Sequence, residues 1–379
     1  MRKLIPLLTL IVLAACGEKG SSEKARSENI LENLTYSVDT LEVDSKGEII
    51  NLKYGMNWFD LSPDSKSLFI YDNDRTLFQE IDLSQMVLIN AYPFEKEGPN
   101  GIGRPTSFQV LANKTMMIPT YANPGIFTLS GEQIRPFNLK PNDLTGSELT
   151  NGFAILSEMI WDSKSEKLIS LPGDITSGVF ELAVTNPNSQ TVQMLQLPKM
   201  EMAKNFRVTQ IEGEGGAAFT EVYRLLDLHD KILISCSVRS GIYLFDPKTD
   251  SLDFIDFSHQ IISNEKSGEI KNDVSSQQEW YEEYKKVVSQ VTYWKMNWDE
   301  STSRFYRLAS RSILGESRQD PASFKVYLLI YDEKLNLLGE SLIEGFNQFP
   351  SSYFFKDGKL YSYVNVEDEL GFAVFTFDF

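Results

Sequence analysis

Three short apolar runs separated by turn-forming residues fill positions 61–94, LSPDSKSLFIYDNDRTLFQEIDLSQMVLINAYPF. The first run, 68–71, is broken by Asp72-Asn73-Asp74, whose short polar side chains bond their own backbone and tolerate turn geometry. The second, 77–83, alternates Leu77, Gln79 and Ile81 on one face with Phe78, Glu80 and Asp82 on the other. The third, 86–92, is closed by Pro93. Short alternating runs joined by tight turns predict an antiparallel meander.

The pattern recurs along the chain. A second meander runs from Phe108 through 115–119, 125–129 and 133–137, and a third through 158–161, 167–171, 179–184 and 191–197. The fourth comprises 223–226, 231–235, 241–246 and 251–257; the fifth 293–298, 304–309, 325–332 and 337–343. The last offers 351–355, 360–366 and 371–379. Second-strand positions Leu68, Met116, Leu168, Ile232, Phe305 and Leu360 recur at intervals of roughly 50–70 residues, against about 40–50 for a regular propeller blade. The predicted fold class is all-β: a six-bladed β-propeller with insertions in its later blades. Third strands often end in an acid, as at Asp82, Asp246, Asp332 and Asp378. No tryptophan-aspartate or kelch signature accompanies them. A β-sandwich competes, because evenly spaced short strands fit both.

An open ring would leave an unpaired strand edge, and the last meander supplies only three strands. The fourth is expected from the N-terminal region, where 36–44 and 48–53 read as two strands around Ser45-Lys46-Gly47. The segment 48–53 sits where a fourth strand of the preceding blade belongs; 36–44 resembles a third strand and competes with 371–379.

Helical periodicity occurs once. Ser276-Gln277-Gln278-Glu279 is a capping box, and Trp280, Tyr284, Val287, Val288 and Val291 then share one helical face. An amphipathic helix is predicted over 277–290, inside an insertion at about 258–291, packed on the propeller edge.

The N-terminus changes the picture from fold to address. Arg2 and Lys3 precede an apolar stretch, 4–13, too short to span a bilayer. Leu13-Ala14-Ala15-Cys16 then resembles a bacterial lipobox, which implies diacylation of Cys16, cleavage before it and acylation of the new amine. More than one acyl chain gives stable anchoring. The chain divides into a signal peptide at 1–15, a polar tether at 16–34 and a propeller at 35–379. Cys236 is then the one remaining cysteine, in the apolar run 232–238, and a buried inert thiol is expected. With 36 basic and 53 acidic residues the formal charge is −17. Such a surface repels nucleic acid and anionic membrane alike, so the membrane is met through the lipid.

Residues 95–103, EKEGPNGIG, specify a loop with unusual dihedrals. They resemble the glycine-proline loop of six-bladed propeller lipoproteins from Bacteroidetes-type bacteria, including a family classed as a domain of unknown function. The lipobox and the run SPDSKSLFIYDN resemble that family as well. The resemblance implies a lipid-anchored propeller and carries no activity. A phosphate-cradling loop is the sharper alternative for 95–103, but the lysine and strand–helix context of a Walker loop are missing.

His229 and His259 lack metal-ligand spacing and read as solvated turn histidines. The stretch 212–216, EGEGG, lacks the alternating acids of a calcium loop. Calcium held by axial carboxylates and amides, as in lactonase-like propellers, is the cofactor alternative, and the sequence places no residue in it. Inner propeller strands line a channel, and the loops leading into them form a ligand face. In this register that face holds Asn57, Trp58, Arg104, Glu158, Tyr223, Arg224, Tyr293, Trp294 and Tyr353. This polar and aromatic set suits a glycan, peptide or other polar ligand. The expected function is a lipid-anchored binding or interaction module of the cell envelope, at the outer membrane, with a glycan or envelope protein as partner. The alternatives are a propeller hydrolase or lyase with a channel metal and a structural partner of an outer-membrane transporter.

Overall fold

A computed structural model describes residues 29–379, apart from 148–155, 157, 175–176, 213–214 and 229. Hairpins dominate, and one turn recurs. An Asp or Asn near a strand end accepts the backbone N–H two residues on, and the fifth residue takes a left-handed φ. Asp72 with Thr76, Asp82 with Met86, Asp162 with Glu166, Asn186 with Gln190, Asp246 with Asp250 and Asp299 with Ser303 all follow it. The short side chain supplies an acceptor where the strand ladder stops. The acids noted at strand ends are therefore turn formers at Asp82, Asp246 and Asp332.

These hairpins build six blades, whose strands follow sequence order from the inside out except for the outermost strands of blades 3 and 6. Blade 1 is Phe59–Leu61, Ser67–Asp72, Leu77–Asp82 and Val87–Pro93; blade 2 is Gln109–Leu111, Thr115–Ile118, Gly125–Thr128 and Gln133–Pro136. Blade 3 is Ile160–Asp162, Lys167–Ser170, Leu182–Asn186 and Thr191–Leu195, with Thr145–Gly146 added outside. Its third strand begins later than the predicted 179, because Val179–Phe180 pairs with Gly173–Asp174 as a separate hairpin. Blade 4 is Tyr223–Asp227, Ile232–Cys236, Ile242–Asp246 and Ser251–Ile255; blade 5 is Thr292–Asp299, Arg304–Ile313, Ser323–Asp332 and Leu337–Leu342.

Blade 6 has three strands from the C-terminus, Tyr353–Lys356, Lys359–Val366 and Glu369–Asp378, and takes its fourth from Thr35–Glu42. That strand runs antiparallel to the last, from Thr35 opposite Asp378 to Glu42 opposite Gly371. The ring closes with the segment read as a third strand. Residues 48–53 form no strand; Ile50 is buried there and the backbone loops over blade 1. The expected tether also ends early. Asn29 mimics a strand partner of Glu340, donating from Nδ2 to its carbonyl and accepting its N–H at Oδ1, both at 2.9 Å. Ile30 N–H bonds the Leu338 carbonyl, and Leu31 is fully buried. Residues 29–34 thus cover the outer edge of blade 5.

The core is six seams, one between each pair of neighbouring blades. Leu68 and Ile70 face blade 6 with Phe354, Tyr361 and Phe372, while Phe69 and Tyr71 face blade 2 with Val110, Met116 and Phe127. Period-two alternation buries both faces of the strand. The seam between blades 6 and 1 confirms closure through side chains as well as backbone.

Two insertions leave the ring on either side of blade 4. The first carries a 3-10 turn, Glu201–Phe206, and the hairpin Val208–Glu212 with Gly215–Phe219; the second adds Asp273–Val274 alongside Val208–Glu212. The stretch 212–216 is thus part of a hairpin, with 213–214 outside the described residues. The helix forms over Gln277–Val288, capped by Ser276 Oγ accepting Glu279 N–H at 3.2 Å. It packs mainly on this added sheet, where Trp280 Nε1 donates to the Val208 carbonyl at 3.1 Å, and its C-terminal end also meets blade 5, where Arg311 Nε donates to the Ser289 carbonyl at 3.0 Å. A fully buried ion pair, Lys266 Nζ to Glu221 Oε1 at 2.5 Å, ties the two insertions together. Among the described residues no helix is long and apolar enough to cross a membrane.

The central channel and its mouth

Inner strands leave one edge unpaired, so their N–H groups need side-chain partners. Two are met from the preceding blade. Asp60 Oδ2 accepts Val110 N–H and Gln109 Oε1 accepts Trp161 N–H, each at 2.8 Å. Gln109 Nε2 also donates to Asp227 Oδ2 at 3.3 Å. Blades 2 and 4 are not neighbours in the ring, so this bond crosses the channel. The charges of Lys295 in blade 5 and Asp227 both act on Asp60 in blade 1. Asp60, Gln109, Asp227 and Lys295 therefore converge on the axis from four blades. Burial pushes the Asp60 carboxyl up to about 6; Val110 N–H and Lys295 oppose the rise and Asp227 adds to it.

A second group lies at the mouth, where the chain runs into the inner strands. Arg224 precedes Asp227 by three residues, about 10 Å along the strand. Arg224 Nη1 pairs with Glu158 Oε1 at 2.9 Å, and Glu158 holds a left-handed φ of 49° in the turn before blade 3. Tyr353 of blade 6 feels both Arg224 and Arg307; burial raises its phenol well above the ordinary range and the two cations oppose that. Trp294 stacks on Phe349 at 4.2 Å between centroids, and Phe349 meets Tyr353 edge-on at 5.8 Å. Trp294 Nε1 is satisfied by Ser310 Oγ at 2.9 Å. The mouth thus combines an aromatic ledge with a half-exposed ion pair.

Of the nine ligand-face residues, the structure joins Glu158, Arg224, Trp294 and Tyr353. Tyr223 and Tyr293 are buried in the seams instead, the first donating to the Met200 carbonyl and the second to the Ser263 carbonyl, both at 2.8 Å. Alternation is the reason: each neighbours a mouth residue in sequence and so points to the opposite face. Asn57 bonds the Tyr54 carbonyl and Trp58 lines a shallow crevice over blade 1 with Tyr54 and Tyr71. Arg104 is exposed and makes no hydrogen bond or ion pair among the described residues. Sequence reading missed Asp60, Gln109, Asp227 and Lys295. Asp60 and Lys295 did carry a signal: each is a lone charge inside an apolar and aromatic inner strand, WFDL and YWKM.

Other candidate chemistry resolves into structure. His259 is buried, contrary to the solvated reading. Tyr331 Oη lies 2.9 Å from its Nε2 and Tyr293 Oη 3.1 Å from its Nδ1. Because Tyr293 donates onward to Ser263, the neutral ring with Nδ1–H satisfies both contacts. Burial and the nearby Arg307 push His259 down to about 4. A depressed histidine favours the neutral folded form, so its contribution is lost as pH falls from about 6.5 towards 4. Wild type is expected to lose up to about 3 kcal/mol relative to His259→Gln over that window, read from urea midpoints. Asp60 acts in the opposite sense, but it is common to both proteins and cancels in the difference. His229 lies outside the described residues, as does Cys16. Cys236 is buried and its thiol is pushed up to about 12 by burial and Glu221, an inert state. The 95–103 loop is bound to blade 2: Asn123 Nδ2 donates to the Pro99 carbonyl at 2.8 Å, and Asn100 Oδ1 accepts Gln133 N–H at 3.1 Å. A Cβ at Gly101 would lie 2.5 Å from the Glu97 backbone, so glycine is required there for packing. Among the described residues no three His, Cys, Asp or Glu side chains cluster as metal ligands.

Fold and channel define a six-bladed β-propeller with a sheet-and-helix insertion. Residues 28–342 match the family described as a domain of unknown function, DUF4221, and the chain belongs to it. It is similar to a crystal structure of a DUF4221 member from Bacteroides vulgatus, with 13% identity, TM-score 0.61, and 91% of this chain and 98% of that one covered. It is also similar to a protein from Bacteroides fragilis described as exported, with 10% identity, TM-score 0.50, and coverage of 92% and 96%. No curated protein matches the chain.

Proposed function

We propose that the chain is an exported, lipid-anchored envelope protein, held at the outer membrane through Cys16, whose propeller binds a polar ring-bearing ligand at the channel mouth, a saccharide foremost. The observation that carries this reading is the ledge of Trp294, Phe349 and Tyr353, half-buried against the seam of blades 5 and 6, whose Tyr353 feels the charge of Arg224 in the Glu158–Arg224 pair. Sugars present an apolar C–H face to an aromatic ring and hydroxyls to charged neighbours. The address is supported by the lipobox and by the similarity to a Bacteroides fragilis protein described as exported.

An immobilised glycan panel tests the binding. The mature protein is expected to retain one group of glycans, with Arg224→Met and Trp294→Ala each weakening retention at least about tenfold, the scale of one lost good contact. Retention unchanged in both variants would place binding elsewhere. Cys16→Ser should release the protein into the soluble fraction; a membrane-bound variant with the same mature N-terminus would overturn the anchor.

The hydrolase or lyase reading draws on one observation, the deep Asp60 carboxyl pushed up to about 6, which suits proton transfer near neutral pH. Glycans recovered shortened from the same panel would favour it; glycans recovered intact favour binding.

A further inference from the structure

We infer that the channel selects ligands bearing an anionic group, and that Lys295 is the residue that receives it. The inference rests on the binding reading above and names the class of ligand.

The inner strand of blade 5 is interrupted. Tyr293 pairs with Ala309 and Met296 with Arg307, so Trp294 and Lys295 together oppose a single residue. Such a bulge re-aims side chains and is costly unless the freed backbone groups are satisfied. Arg307 satisfies the Trp294 carbonyl, and Asn297 Nδ2 the Lys295 carbonyl at 3.0 Å. Arg307 is fully buried, its Nε donates to the Trp294 carbonyl at 2.8 Å, and its Nη1 donates to the Ser240 carbonyl of blade 4 at 2.5 Å. The Tyr293 ring covers the guanidinium at 4.7 Å. Arg307 is thus a positioning residue that holds the bulge, and the bulge presents Trp294 at the mouth and Lys295 in the channel.

The charges are uneven. Arg224, Lys295 and Arg307 lie on the blade 4 and 5 side, and of the three only Arg224 has an ion-pair partner among the described residues. Arg307 bonds carbonyls alone, and its Nη2 has no hydrogen-bond partner there. Of the channel acids, Asp227 sits on blade 4 itself and is tied to Gln109, while Asp60 across the channel on blade 1 is tied to Val110 N–H. In a chain with 53 acidic and 36 basic residues, a lysine left unpaired inside the channel is available to an anion from outside. A carboxylate and a sulfate on a sugar ring share this chemistry. Asp60 faces Lys295, Asp227 and Val110 N–H; below about pH 6 it is neutral and leaves the lysine charge uncompensated.

Three glycan sets of equal length test this: neutral, glucuronate-bearing and sulfate-bearing, measured calorimetrically against the mature protein. Wild type is expected to favour an acidic set by roughly tenfold over the neutral one. Lys295→Met should erase that preference, bringing the affinity ratio of acidic to neutral sets to about one, and Lys295→Arg should retain it. Acidic-glycan affinity should fall between pH 5 and pH 7.5, and Asp60→Asn should flatten that fall. A response confined to one acidic set supports the inference and identifies the group. Equal affinity for all three sets, or an acidic preference that survives Lys295→Met, overturns it and leaves the binding reading standing. No binding to any set overturns both.

Discussion

A chain beginning at residue 43 is expected to lose most of its folding stability. Eight residues, Thr35–Glu42, pair in continuous register with the last strand. At about 0.5–1.5 kcal/mol net for each ladder hydrogen bond, the strand contributes on the order of 5 kcal/mol. Leu31, fully buried on blade 5, adds roughly 2 kcal/mol. The Tyr36 ring packs edge-on against Phe346 at 5.2 Å and near Phe375 at 5.9 Å. The sum is comparable with the whole stability of a typical domain, about 5–15 kcal/mol. Thermal melts should show no cooperative transition or one displaced far downward. A peptide spanning 29–44, added in trans, should restore it by adding a strand to the open edge. Deletion to residue 34 should give an intermediate loss. A chain starting at residue 43 with a native melting curve would refute closure by this strand.

The second large effect is expected at Lys266. Its ammonium is 0% exposed and its partner Glu221 1%. Glu221 Oε2 also accepts from Ser237 Oγ at 2.5 Å, and Ser237 Oγ accepts Val222 N–H at 2.7 Å. Lys266→Met strands a carboxylate in an apolar surrounding and should cost about 3–5 kcal/mol, whereas the double variant with Glu221→Gln should recover much of it. Urea midpoints of the two single variants and the double variant decide the matter. A single variant within about 1 kcal/mol of wild type would show that water reaches the pair.

Blades were legible because their turns are local. An Asp or Asn at a strand end and an alternating run beside it are short-range signals, and the six meanders follow them closely. The helix was equally legible from its cap and periodicity, but its seat only in part, since the added sheet is assembled from two segments on either side of blade 4. Closure was readable as a need and ambiguous as an assignment. Val38 and Leu41 are substantially exposed, so the closing strand carries little of the apolar pattern that marks the others. The mouth was half legible. Sequence order brought Tyr223 and Arg224, or Tyr293 and Trp294, to the same place, and only side-chain alternation separates the buried member from the half-buried one. The axial group was not legible as a site, because Gln109 and Asp227 meet across a ring whose register no local pattern states.

The packed N-terminal segment also bears on how the protein is made. Asn29 and Glu340, which share two hydrogen bonds, are 311 positions apart. The segment that leaves the ribosome, or an export channel, first must therefore wait for the edges made last, Leu337–Leu342 and Glu369–Asp378. Until they arrive, Leu68, Ile70 and Ile81 of blade 1 have no blade 6 to cover them. The interval of exposure is set by the time needed to deliver the rest of the chain, since closing so long a loop adds only logarithmically to the entropy cost. A holding chaperone can release the polypeptide productively only after its C-terminus has emerged.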